Sequence, residues 1–196
     1  MKGLANFISY SLHPVFLFTY LYLIHWWLYP YPESGMHWEG VALLTGLIFL
    51  NTAVIPVALL LVRKMSLVNQ DRGQRQKTIV IVMVIYSFTY FLFPDRYVPD
   101  YLMQTLLAII LGLVVCFIVN YSFKISLHAS AWGGFLSVIL FLLLSVGDTF
   151  YALFLISVLC AGLVGFSRLY LQAHTDKELY SGYVSGFVVT SIILFA

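Results

Sequence analysis

Two short stretches of this chain gather side chains able to move a phosphoryl group. The first is Lys124-Ile-Ser126-Leu-His128-Ala-Ser130; the second runs from Ser167-Arg168 through His174 and Glu178 to Gly182. Each sets a histidine beside a hydroxyl and a fixed cation. His174 and Glu178 stand four residues apart, a spacing that places them on one face of a helix. A carboxylate that accepts the N–H of one imidazole nitrogen leaves the other nitrogen as a lone-pair nucleophile. In the first stretch Ser126 can donate to a phosphate oxygen, Lys124 can neutralise its charge, and protonated His128 can give a proton to a departing oxygen. An apolar run follows directly, so the positive end of a helix is expected to point at the bound anion. Taken singly, either histidine reads as a polar cap at a membrane interface. Taken together, with Arg168, they point to phosphoryl transfer.

The elements that carry these residues belong in a membrane. The chain is 62% hydrophobic and 9% charged, with a mean hydropathy of +0.96, values outside the range of soluble domains. A net charge of +2 without a basic tail gives no basis for a nucleic-acid partner. Cys116 and Cys160 sit inside apolar runs, where a cysteine reads as a small hydrophobe. A spanning helix needs about 20 apolar residues. The candidates are Val15–Tyr29, Val41–Val62, Thr78–Phe93, Leu102–Tyr121, Ala131–Val146, Phe150–Phe166 and Tyr180–Ala196. The expected fold is all-α: one polytopic transmembrane helix bundle over residues 1–196 with six or seven spans. The first segment lacks the charged start and small-residue site of a cleavable leader, and is expected to remain as a span. His25 and His37 fall near aromatic clusters such as Trp26-Trp27, and read as interfacial.

Spans alternate in direction, which sorts the connections onto two faces. The N-terminus, Arg63–Lys77, Asn120–Ser130 and Ser167–Leu179 share one face. Nine of the ten Lys and Arg residues fall there, and only Arg96 falls opposite. The positive-inside rule makes that face, which carries the candidate site, cytoplasmic.

The pattern Ser167-Arg168-x5-His174-x3-Glu178, with Gly182 after it, resembles the third signature of the type 2 phosphatidic acid phosphatase superfamily, usually Ser-Arg-x5-His-x3-Asp. Ser126-x-His128-Ala129 resembles its second signature, Pro-Ser-Gly-His. The likeness covers residues 124–186. It implies a phosphatase-like helical core, with His174 as the nucleophile that forms a phosphohistidine, His128 as general acid and Glu178 as the carboxylate orienting the nucleophile. Ser126 and Arg168 would bind phosphate. No metal or other cofactor is implied, because fixed cations and amides hold the transferring charge. The chain departs from the family at Glu178, at Ile125 and Leu127, and in lacking the first signature, Lys-x6-Arg-Pro. Its nearest counterpart is Lys64 followed by Arg72 and Arg75, which are either phosphate clamps or charges of a solvated loop. The expected activity is hydrolysis of a lipid phosphomonoester or diphosphate, with the lipid tail among the helices. Transfer of the phosphoryl group to an alcohol, or non-catalytic lipid binding or transport, would use the same residues.

Overall fold

The computed structural model describes residues 1–28, 37–64, 71–93 and 98–196. Among them every regular element is helical: α1 (Lys2–Ser11), α2 (Pro14–Leu28), α3 (Trp38–Phe49), α4 (Ile55–Val62), α5 (Arg72–Leu92), α6 (Asp100–Val119), α7 (Leu127–Val146), α8 (Tyr151–Tyr170) and α9 (Asp176–Phe195). Arg96, expected opposite the main cluster of cations, lies outside the described residues.

A π-helical turn, Leu50–Val54, joins α3 and α4 into one rod of 25 residues. Pro56 has no N–H, so the carbonyl of Thr52 loses its regular partner one turn on. The buried Tyr86 hydroxyl donates to that carbonyl at 3.4 Å, and the Thr52 hydroxyl donates to the Ile48 carbonyl at 2.8 Å. Lipid offers backbone groups no such partners.

Among the described residues five helical stretches are long and apolar enough to cross a membrane: Trp38–Val62, α6, α7, Asp148–Tyr170 and α9. The pair α1 and α2, bent by 56°, makes a sixth if taken as one span. The chain is therefore a multi-pass membrane protein on the length and composition of its helices. Of the expected six or seven, six is reached with α1 and α2 taken as one span, and the seventh is not. The segment Thr78–Phe93 belongs to α5, whose first turns are the polar Arg72–Lys77, and α5 is not among the candidates. The N-terminus, expected as a connection, is helical. Other helices begin before their apolar runs, because capping residues rather than hydrophobicity set their starts. Asp71 caps α5 by accepting from the Gln74 N–H at 2.8 Å. Ser126 caps α7 by accepting from Ala129 N–H at 3.4 Å. Thr175 and Glu178 form a reciprocal capping box on α9. His128 thus lies in the first turn of α7 and Arg168 in the last turn of α8, not in loops.

The closest helix packing is α7 against α9. A Cβ on Gly182 would sit 2.7 Å from the Ser126 carbonyl oxygen, and one on Gly186 would overlap the Ser130 carbonyl. The Ser126 N–H also donates to the Glu178 carbonyl at 3.1 Å. Small residues of this kind let backbones touch where lipid provides no hydrophobic push. Gly186→Val should destabilise the fold by about 1–3 kcal/mol through overpacking, lowering Tm in detergent by roughly 2–10 °C. Gly162→Ala, whose added Cβ meets nothing within 4 Å, should leave Tm unchanged or raise it. Equal melting of both variants would count against backbone contact as the organising element.

Candidate active site

The link between α8 and α9 is five residues long and tightly wound. Gln172 adopts φ 53°, and the Ala173 N–H donates to the Arg168 carbonyl at 3.0 Å. His174 follows, with its side chain 2% exposed, and its Nδ1 lies 2.9 Å from Glu178 Oε2. The same oxygen accepts from the Thr175 N–H at 3.2 Å. His174 precedes α9 rather than lying within it. The pairing therefore arises from the capping box, in which Glu178 reaches back from the first turn, and not from a shared helical face. One carboxylate both starts the helix and orients the imidazole.

His174 opens on a cavity of about 160 Å³ inside the bundle, together with His13, Arg75, His128 and Arg168. The rest of the wall is largely apolar, including Leu17, Phe18, Ile79, Phe135 and Val138. Arg168, 1% exposed, is the bulkiest of the fully buried side chains. Its Nη1 donates to Ser9 Oγ at 3.0 Å. Arg75 is buried as well and donates to the Ile125 carbonyl at 2.6 Å. No carboxylate of the described residues forms an ion pair with Arg75. His128 is buried and hydrogen-bonded to the backbone of Ser9, while its Nε2 has no hydrogen-bond partner.

Of the residues singled out in the sequence, His174, His128, Arg168 and Arg75 share this cavity, and Glu178 stands behind His174. Lys124 is set back from the wall, donating to the Ala173 carbonyl at 3.2 Å. Ser126 is fully buried as the cap of α7 and does not line the cavity. Arg72 and Arg75 part company. Arg72 is exposed and donates to the carbonyls of Tyr121 at 3.2 Å and Ser122 at 3.5 Å, closing the end of α6. Sequence reasoning missed Ser9 and His13. The available signal was His13-Pro14, a polar residue and a helix breaker interrupting an apolar stretch.

Burial first, then the charges of Arg75, Arg168 and Lys124, push the His174 pKa down to about 2. A histidine–carboxylate contact of 2.9 Å has the geometry of an ion pair. With the ring neutral, it is instead an N–H···O bond from Nδ1 to Glu178, which leaves the lone pair on Nε2. Burial foremost, followed by Arg75, also lowers the Lys124 pKa. Among the described residues no group of three or more His, Cys, Asp or Glu side chains is placed to hold a metal ion. No protein-family model matches the chain, and neither a curated protein nor a solved structure matches it.

In protein free of anions, the His174 ring should remain neutral with the proton on Nδ1 from about pH 8 to about pH 5. The sign follows from the depressed pKa: the lone pair is lost only when pH falls below the folded-state value, not near the ordinary 6.5. Histidine ¹⁵N NMR reads both tautomer and titration, and Lys124→Met, which removes one cation, should move the titration upward. A His174 titration near 6.5 in the unsubstituted protein would contradict the electrostatics.

Proposed function

We propose that this protein is a membrane-embedded, metal-independent phosphatase that hydrolyses a lipid phosphomonoester or diphosphate through a phosphohistidine on His174. The observation that carries the reading is the cavity itself. A neutral, carboxylate-oriented histidine opens on a space with arginines at one end and hydrocarbon over the rest. On α7 the wall runs from His128 to Val138, ten residues or about 15 Å along the axis. That is roughly half the thickness of a bilayer's hydrocarbon core, room for part of an apolar tail with its phosphate among the cations.

In the first step His174 Nε2 attacks phosphorus, the N–P bond forms, and the P–O bond to the lipid breaks. Glu178 stabilises the positive charge that develops on the imidazole. His128 Nε2 delivers a proton to the departing oxygen. Arg75 and Arg168 hold the charge of the transferring phosphoryl group, with no reorganisation at the moment of reaction. In the second step water loses a proton to His128 and attacks phosphorus; the N–P bond breaks and inorganic phosphate leaves. The roles of His174, Glu178 and Arg168 also follow from the likeness of residues 167–182 to the third signature of the type 2 phosphatidic acid phosphatases, and that of His128 from the likeness of residues 126–129 to the second. In this reading Arg75, seated on the Ile125 carbonyl, provides the cation for which the chain has no Lys-x6-Arg-Pro.

Purified protein in lipid nanodiscs should release phosphate from at least one member of a panel of acyl and isoprenoid phosphates and diphosphates. His174→Ala should reduce release to background, and His128→Ala by about 10²–10⁴-fold. Activity should survive a chelator, and vanadate, which mimics five-coordinate phosphorus, should inhibit. Full turnover by His174→Ala, or strict dependence on added magnesium without vanadate inhibition, would overturn the proposal.

A further inference from the structure

We propose that α1 is an interfacial helix whose exposed apolar strip docks into the surface of the lipid bilayer, beside the arginine-bearing end of the cavity. This seat of α1 is independent of the reaction proposed above. At about 100° per residue, the ten residues of α1 divide into three strips. Ala5, Ile8 and Ser9 are buried against the protein. Leu4, Phe7 and Tyr10 stand roughly opposite, and are 60%, 67% and 51% exposed. Lys2 and Asn6 occupy a polar strip between the two. A helix lying along a bilayer surface beside its own protein needs this arrangement: one strip for the protein, one for hydrocarbon, and one for water and headgroups. A helix surrounded by solvent needs no apolar strip opposite its buried one, and a helix inside hydrocarbon has no place for Lys2.

Contacts with two spanning helices fix the depth of α1. Arg168 stands in the last turn of α8, at the end of the spanning stretch Asp148–Tyr170, and His128 stands in the first turn of α7. Both positions belong to the boundary between hydrocarbon and headgroups. Ser9 reaches both: its hydroxyl accepts from Arg168 Nη1 at 3.0 Å, and its backbone bonds to His128. The bend that follows is fastened on two sides. The Leu12 carbonyl accepts from Trp132 Nε1 at 2.9 Å, and the Ser11 carbonyl accepts from the Tyr20 hydroxyl at 3.0 Å. α1 is thereby held at 56° to α2. Its length of about 15 Å is roughly half the thickness of the hydrocarbon core. The charge that α1 carries, on Lys2, is positive and suits anionic headgroups.

A nitroxide on cysteine at position 2, 4 or 7 of the full chain reads the depth of each strip, in a Cys160→Ala background in which the remaining Cys116 is buried. The protein is placed in nanodiscs of phosphatidylcholine and phosphatidylglycerol, and electron paramagnetic resonance follows collisions with oxygen and with a water-soluble nickel chelate. The Leu4→Cys and Phe7→Cys labels should lie about 5–10 Å below the lipid phosphates, open to oxygen and shielded from the chelate. The Lys2→Cys label should meet the chelate. Access of the chelate to all three labels would show α1 standing in water, and shielding of all three would make α1 part of a membrane-crossing span; either result overturns the docking.

Discussion

Backbone contact between α7 and α9 sets the spacing of the two histidine-bearing motifs, and the rest of the site depends on it. Gly182 and Gly186 let α9 rest directly on the carbonyls of Ser126 and Ser130, and the Ser126 N–H bonds to the carbonyl of Glu178. Glu178 is thus held by its main chain against the start of α7, while its side chain caps α9 and holds His174. One residue links helix packing, helix initiation and the orientation of the imidazole. Moving α9 outward by the width of a methyl group would shift His174 relative to His128, which travels with α7.

Charge is the second constraint. Arg168 and Arg75 are buried close enough to feel each other's charge, an arrangement that burial makes costly. Arg168 donates to the Ser9 hydroxyl, and Arg75 to the Ile125 carbonyl, a dipole rather than a full negative charge. The cavity end they form is complementary to an anion. Burial first, and then the same cations, keep the His174 ring unprotonated, so the groups suited to attract phosphate also help preserve the lone pair suited to attack it. An arriving phosphate would cancel much of that field.

Much of this was legible in the residues, and the rest was hidden for identifiable reasons. Composition carries the membrane class, because no soluble fold accommodates so few charges. The pairing of His174 with Glu178 was readable from spacing, although its geometry is that of a cap rather than a helical face. Helix starts were misplaced because hydrophobicity marks the portion suited to lipid, whereas α5, α7 and α9 begin at Asp71, Ser126 and Thr175. Ser126 illustrates the consequence: its hydroxyl is committed to a cap and stands off the cavity wall. Arg72 and Arg75 look equivalent in sequence, and only packing against α6 and the α6–α7 connection separates an exposed clasp from a buried cation. Ser9 and His13 lie more than a hundred residues from the motifs they join. No local pattern announces such a contact.

The central claim is that His174 carries the phosphoryl group, and capture of the covalent intermediate tests it most directly. Protein mixed with a ³²P-labelled lipid phosphate that it turns over, quenched in alkali and digested, should yield label on the peptide containing His174. That label should survive alkali, be lost in acid, and be absent from the His174→Ala protein. Turnover without any such label, or label on a different residue, would contradict the account.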